Sequence, residues 1–461
     1  MGVGGFALLL GFALLFGGMR PDGLDRVEID RQMGKGKKMN LRIQVALGVC
    51  LGAIAFWVGV LESQGYAQDW PQWRGPRRDG HVLGVPVPGS WPAAWKKVWQ
   101  LEVGEGYSSP VVADGVVYLL SREGEDEVVR GISVASGKVL WEQRYPAPYE
   151  VNPAARAHGK GPKSTPVVAS GKLVTLGISG ILSCWSTKDG KRLWQHRFGD
   201  RFPETAPLYG TAMSPIVVGS RVIAHVGGHD RGALAAWDLD TGEKAWEWAG
   251  DGPAYTSPIL VELHGKAQLI TQSQRFCLGV DVASGRVLWQ IPFTTQYDVN
   301  IVTPVVWRDL VIFSGFRRGT TAYRLKPSGE PWAVEEIWHN REVSMYMNSP
   351  VLCKDRLVGL AQEQRGQFFA MDPASGQIFW RSEPRQGENA ALVVLGDYVL
   401  ALITGSELIA FDPTGENFKP LARWKVADSA TWAHPIWTAR GLLVKDLQHL
   451  TLWEPVAAGS Q

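Results

Sequence analysis

Short apolar runs, each closed off by glycine, proline, serine or aspartate, follow one another along residues 93–455. In one group the candidates are Pro110–Ala113, Val116–Ser121, Val128–Ser133 and Lys138–Gln143, separated by Asp-Gly, a charged loop and Ser-Gly. Runs of this length and punctuation predict strands, four to a group. Apolar–polar alternation within them is weak, as expected of strands covered on both faces by neighbouring sheets.

The last run of a group ends on tryptophan at a fixed distance from a turn. Ala370–Trp380 reads Ala-Met-Asp-Pro-Ala-Ser-Gly-Gln-Ile-Phe-Trp, and Ala236–Trp246 has the same Ala-x-Asp-x-x-x-Gly-x-x-x-Trp spacing. Gly279–Trp289 differs by glycine for alanine, while Gly131–Trp141 and Cys184–Trp194 carry Ser133 and Ser186 in the aspartate position. An Asp or Ser at the turn entry accepts bonds from backbone N–H groups two residues on, and glycine takes the positive φ of a short hairpin. Trp99, Trp141, Trp194, Trp246, Trp289, Trp338, Trp380 and Trp424 end eight such units, at intervals of 42 to 53 residues.

A second marker opens each unit, a small or polar residue followed by proline. It is Ser109-Pro110, Thr165-Pro166, Ser214-Pro215, Ser257-Pro258, Thr303-Pro304, Ser349-Pro350 and His434-Pro435, with a degenerate copy lacking proline near Ala390-Ala391. The eighth unit has only three strands, Ile436–Thr438, Gly441–Lys445 and Leu450–Trp453, while Lys96–Leu101 is a strand without a hairpin. The N-terminal strand therefore completes the C-terminal unit. The expected fold is all-β: an eight-bladed β-propeller of four-stranded blades over 93–455, its last blade closed by an N-terminal strand. Closure from both ends removes the free edge of an open array.

Composition agrees. Glycine (53) and tryptophan (21) are abundant and charged residues make up only 20 % of the chain, a profile of punctuated strands with aromatic anchors. The net charge of +2 leaves no electrostatic footprint for nucleic acid. Residues 1–67 differ in kind. Two apolar stretches, Val3–Gly18 and Val45–Leu61, flank a segment with Lys35, Lys37 and Lys38. Lys37–Arg42, Val45–Val60 and Gly65-Tyr66-Ala67 supply the charged, apolar and cleavage regions of a signal peptide over 39–67, with Met39 as a natural start and 1–38 an upstream segment. A retained membrane anchor is the alternative, and would be the sole membrane contact. Val49 is too large for the residue before a lipidated Cys50. Residues 68–92 then form a lead-in loop: Asp69–Gly80 holds two tryptophans among its breakers and so packs on the propeller. Residues 456–461 are a tail. Cys184, Cys277 and Cys353 fall in three different units with no paired spacing, which predicts buried, inert thiols.

The Ala-x-Asp-x-x-x-Gly-x-x-x-Trp repeat resembles the tryptophan-docking motif of the PQQ-like (quinoprotein-type, BamB-like) β-propellers, over essentially residues 69–455. That resemblance implies that Trp141, Trp194, Trp246, Trp289 and Trp380 cement one blade to the next; Trp99, Trp338 and Trp424 occupy the same repeat position. The family it points to contains PQQ-dependent alcohol and sugar dehydrogenases and non-catalytic BamB-like lipoproteins of outer-membrane assembly.

In a propeller the loops entering the innermost strands gather at one end of the channel. The loop Tyr145–Lys163 brings Arg156, His158, Lys160 and Lys163, a positive cluster for an anionic ligand or acidic partner segment, or an ordinary solvated loop. Tyr107, Tyr209, Tyr255, Tyr346, Asn348, Asn389, Trp432 and His434 occupy comparable positions, where they bind a flat ligand or peptide, or plug the channel. A dehydrogenase of the resembled type needs PQQ, calcium, a carboxylate base and often a lid of adjacent cysteines. Glu105, Glu150, Asp200, Glu204, Asp251, Asp298, Glu342 and Glu388 lie in or near the relevant loops, but none is marked by a ligand motif and no cysteines are adjacent. The expectation is thus an exported, periplasmic or envelope scaffold that binds protein or peptide segments through channel-mouth loops or a blade edge, with no catalytic residue, metal or cofactor assigned. A quinoprotein dehydrogenase and a carbohydrate-binding propeller are the alternatives.

Overall fold

Residues 69–329 and 331–457 are described in a computed structural model; the segments 1–38 and 39–67, including the expected signal peptide or anchor, lie outside them. Among the described residues the strands form eight sheets, each built on four antiparallel strands and one of them extended by a short fifth strand, arranged as an eight-bladed β-propeller. Blade 1 comprises Val111–Ala113, Val116–Glu123, Asp126–Ser133 and Val139–Pro146. Blades 2 to 7 start on the inner strands Val167–Ala169, Ile216–Val218, Ile259–Leu263, Val305–Trp307, Val351–Cys353 and Ala390–Leu395. Blade 8 joins Ile436–Thr438, Gly441–Lys445 and His449–Val456 to Ala94–Glu102. The junction pairs Trp99 with Leu452 and Leu101 with Leu450, so both ends of the described chain share one sheet.

The turns work as their composition requires. Asp238 Oδ1 accepts from the N–H groups of Asp240 and Thr241, both at 2.9 Å, and Asp281 Oδ1 accepts from Ala283 and Ser284 at 3.0 and 2.8 Å. This holds the turn so that the carbonyl after the aspartate faces the preceding blade. Trp194 Nε1 donates to Leu239 O and Trp246 Nε1 to Val282 O, at 3.0 and 3.1 Å. Trp99, Trp141, Trp338 and Trp380 donate in the same way to Val134, Thr187, Pro373 and Pro413, each at 3.0 Å. The motif glycine is a spatial need as well as a dihedral one. At Gly285 (φ +75°) a Cβ would run into the Trp246 ring, and Gly137, Gly190, Gly242 and Gly376 meet Trp99, Trp141, Trp194 and Trp338 in the same way.

Two tryptophans depart from the repeat. Trp289 turns to its own blade, where Nε1 donates to Gln268 Oε1 at 2.7 Å. The joint to blade 5 is made instead by the Trp332 N–H donating to Leu288 O and by Trp289 packing edge-on against Phe313. The physical reason is the longer turn after Lys326: a Cβ on its Gly329 would meet no atom within 4 Å, so this glycine gives no seat for an indole. Trp424 sits two residues beyond the repeat position, which Ala422 takes opposite Ala410; its Nε1 donates to Pro92 O in the lead-in segment, 2.9 Å.

The outermost hairpin of every blade carries a register shift, placed just before the tryptophan in most of them. A bulge there lifts residues such as Leu193 and Phe379 off the ladder and twists the edge, which makes it a poor template for a further strand. Buried apolar side chains form seven clusters, each drawing on neighbouring blades, such as Leu234, Trp246 and Leu278 between blades 3 and 4. The core is therefore a set of joints, which accounts for the weak alternation.

The small-residue–proline marker also has a structural cause. His434 N donates to Ser109 Oγ, Ser109 N to Thr165 Oγ1, Thr165 N to Ser214 Oγ, Ser214 N to Ser257 Oγ, and Thr303 N to Ser349 Oγ, at 2.9–3.3 Å. Each hydroxyl satisfies a buried donor of the preceding blade, and the bonds tie blades 8, 1, 2, 3 and 4 in succession and blade 5 to blade 6. These serines are joints between blades. Cys184, Cys277 and Cys353 are free and buried; burial pushes the Cys184 and Cys353 thiols up to about 12, and that of Cys277 higher.

Candidate functional site

The lead-in segment builds the floor of the channel. Trp70 exchanges backbone bonds with Val112 of blade 1, both 2.9 Å, and Pro71 O accepts from Val168 N of blade 2. Arg78 donates to Ser214 O and Pro215 O of blade 3, Trp73 Nε1 to Thr303 Oγ1 of blade 5, and Arg74 to Pro350 O of blade 6. His81–Val82 then pairs in parallel with Val394–Leu395 of blade 7. The two guanidinium groups serve carbonyls beside the marker prolines, where the proline-containing strand has no N–H to offer. Both are buried without a carboxylate in contact, and desolvation lowers Arg74 to about 10 and Arg78 to about 9, the latter with repulsion from Arg74.

Above this floor lies a cavity of about 460 Å³. Its wall takes Tyr107, His158, Lys163, Tyr209, Tyr255, Tyr346, Asn389 and Trp432 from the sequence-nominated set, and adds Trp73, Tyr297, Met347, Ile301 and the marker serines Ser257 and Ser349. Tyr107 stacks on Trp432 (5.2 Å between centroids, 22°), and His158 meets both edge-on. Across the funnel, Tyr209 N donates to Tyr255 Oη at 3.2 Å, and Tyr346 packs on Phe316. Lys163 Nζ donates to Tyr209 O at 2.6 Å; burial brings its pKa down to about 8. Burial, then the Lys163 charge, lowers His158 and so favours its neutral imidazole; Glu388 opposes the shift. Burial followed by Glu388 and Glu105 raises Tyr107, and burial raises Tyr255 strongly.

The remaining candidates lie elsewhere. Arg156 is exposed on the short 3₁₀ turn Pro153–His158, and Lys160 pairs with Glu125 at 3.0 Å. The Asn348 amide is used inside its blade, donating to Leu360 O (2.7 Å) and accepting from Leu360 N (3.2 Å). His434 is buried beneath Trp73, edge to face at 4.5 Å, and burial with repulsion from Arg74 brings it down to about 3. Tyr145 belongs to the outer strand of blade 1, so the loop begins after Pro146.

None of the eight candidate acids lines the cavity. Asp251 is held by Arg275 and Ser273, Glu342 pairs with Arg381, and Asp298 lies 3.6 Å from His229. Glu105, Glu150, Asp200, Glu204 and Glu388 are exposed. Among the described residues no group of three His, Cys, Asp or Glu side chains is placed to hold a metal. A calcium ion seated beside a quinone needs converging carboxylates, and an aromatic wall with one lysine does not fit that pair. The chemistry this wall supports is recognition, through π faces, apolar contact and one ammonium.

A family profile described as the outer membrane protein assembly factor BamB matches residues 93–159 and 125–382. The chain is 28 % identical over 217 residues to the outer membrane protein assembly factor BamB of Moranella endobia, covering 46 % of this chain and 50 % of that one. It is 26 % identical over 278 residues to the Yersinia pestis protein of the same name, covering 59 % and 63 %. The quinohemoprotein alcohol dehydrogenase ADH-IIG of Pseudomonas putida is 26 % identical over 313 residues, covering 62 % of this chain and 40 % of that protein. The matched stretch thus spans about half to three-fifths of the length of the two assembly factors. Among solved structures, BamB of Moraxella catarrhalis superposes with a TM-score of 0.57 at 14 % identity, over 78 % of this chain and 98 % of that one. The quinohemoprotein alcohol dehydrogenase of Comamonas testosteroni gives 0.59 at 13 %, over 87 % and 83 %. At such identities the two superpositions speak for the fold alone.

Proposed function

The chain belongs to the family of the outer membrane protein assembly factor BamB, and we propose on that premise that it is a non-catalytic scaffold of the cell envelope that holds a segment of a partner protein in its aromatic funnel. The observation that supports this reading is the cavity wall: six Tyr or Trp rings, Tyr107, Tyr209, Tyr255, Tyr346, Trp73 and Trp432, with Tyr297 at its rim and no carboxylate among them. Rigid aromatic side chains with polar tips give large contact area at little conformational cost, and they are enriched where proteins grip proteins. The funnel is preferred over a blade edge because bulges interrupt all eight outer hairpins. Export to the envelope rests on the signal-like stretch 39–67 and on the family.

The test is affinity capture from an envelope fraction with the full chain and with the Tyr209→Ala/Trp432→Ala variant, followed by mass spectrometry. The reading predicts a protein captured by the wild type, lost with the funnel variant and kept with Leu193→Ser on the outer rim. Capture that ignores the funnel substitutions contradicts it. Saturable binding of PQQ with calcium and alcohol-dependent dye reduction would replace it with a dehydrogenase, and quenching of tryptophan fluorescence by oligosaccharides would point to a carbohydrate-binding propeller.

A further inference from the structure

Among the described residues that line the cavity, Lys163 is the one lysine, and no Asp, Glu or Arg stands with it. Its Nζ is used once, by Tyr209 O at 2.6 Å, and no carboxylate of the described residues forms an ion pair with it. Removal from water lowers its pKa to about 8. An ammonium has three donors. Its one acceptor in the structure is a neutral carbonyl, so donors remain to which an arriving opposite charge would bond in a site walled by rings. The exposed acids nearby form no ion pair with Lys163: Glu388 acts on Tyr107 and His158, and Glu105 on Tyr107.

In the same cavity wall stands the stacked pair Tyr107–Trp432, and His158, which meets both rings edge-on, feels the Lys163 charge. A ligand that satisfies both features places a carboxylate on Nζ and a ring or other flat apolar group on that stack. A cavity of about 460 Å³ is small for a binding pocket, with room for a few side chains of an extended segment and none for a folded element.

Resting on the reading that the funnel holds a protein segment, we infer that Lys163 is its anchoring residue: it binds a carboxylate of the partner that is adjacent in sequence to an aromatic residue seated on Tyr107 and Trp432. The carboxylate is an Asp or Glu side chain, or a chain end; the two share this chemistry and separate experimentally. Specificity then comes from a charge-assisted bond, where exchange of the carboxylate for an amide leaves the ammonium unpaired.

Ligand-observed NMR titration of the full chain with two matched probe pairs tests this. N-acetyl-tryptophan against its amide reports a chain end, and N-acetyl-Asp-Trp-amide against N-acetyl-Asn-Trp-amide reports a side chain. At least one acid should bind about tenfold or more tighter than its amide partner, the size expected of a charge-assisted bond. Lys163→Met should remove that gap, and Lys163→Arg should keep most of it. Equal binding of acid and amide by the wild type, or a gap that survives Lys163→Met, overturns the assignment of Lys163 while the funnel remains a binding site. Failure of all four probes to bind overturns both. The wild-type comparison needs no variant to fold.

Discussion

Trp246→Ala probes the joint between blades 3 and 4, and its cost can be assembled from contacts. The indole is 8 % exposed and packs with Leu234, Ala236, Leu269 and Leu278, while Nε1 donates to Val282 O at 3.1 Å. Truncating a buried large aromatic to alanine costs about 3–5 kcal/mol. The orphaned Val282 carbonyl adds about 1 kcal/mol where it stays dry. Gly285 supplies an internal control. Its φ of +75° disfavours any side chain, and an added Cβ would collide with the Trp246 ring. Gly285→Ala in the wild type therefore carries a backbone term of about 1 kcal/mol or more and a steric term. In the Trp246→Ala background only the backbone term remains, so the double variant is less destabilised than the sum of the singles by about 1–3 kcal/mol. Urea unfolding of all four proteins, followed by far-UV circular dichroism at constant slope, measures both quantities. A Trp246→Ala cost below about 1 kcal/mol, or additivity within about 0.5 kcal/mol, refutes the indole-under-glycine joint.

Other consequences are as direct. Ser214→Ala leaves the buried Thr165 N–H without its acceptor and should cost about 1–3 kcal/mol in the same assay, whereas Ser214→Thr, the residue type found at 165 and 303, should cost far less. Burial holds His225 at about 4, below the unfolded value, so the unfolded chain binds more protons between about pH 6.5 and 4. Its contribution is therefore fully present above pH 6.5 and is lost as pH falls through that window. His225→Asn should show a shallower decline in unfolding midpoint than the wild type there, and parallel curves would contradict the burial argument. Burial lowers Lys163 to about 8, so affinity for an acidic probe should fall as pH rises through 8 while that for the amide stays level. A flat acid curve from pH 7 to 9 would mean that the ammonium makes no contact. Cys184, Cys277 and Cys353 should resist a thiol reagent in native buffer and react in urea.

The ring was legible because a repeated joint leaves a repeated residue. The Asp, Gly and Trp of Ala236–Trp246 each answer one local demand: turn capping, positive φ with a vacant Cβ position, and a seat on the next blade. The same logic misplaces Trp289, since its partner turn is longer and the defect lies some forty residues away in the next blade. The position of Asp69–Val82 inside the channel could not be read from local pattern. Its spokes reach far along the chain, 137 residues from Arg78 to Pro215 and 276 from Arg74 to Pro350, and nothing in Trp-Pro-Gln-Trp-Arg states which blades will receive them. At the site, residues two to five before the marker, such as Tyr107, Tyr209, Tyr255 and Tyr346, face the funnel because each enters an innermost strand. Asn348, directly before Ser349, turns instead into its blade, where Leu360 takes both ends of its amide. Trp73 was visible only as an indole with no unit of its own.

The most direct measurement is site-specific photo-cross-linking in the living cell, with a photoreactive residue at position 209 inside the funnel and, separately, at position 193 on the outer rim. The account predicts a discrete cross-linked protein from 209, mapped by mass spectrometry to an extended segment in which an acidic group neighbours an aromatic residue, and none of it from 193. Cross-links from 193 alone, with position 209 silent, would contradict it.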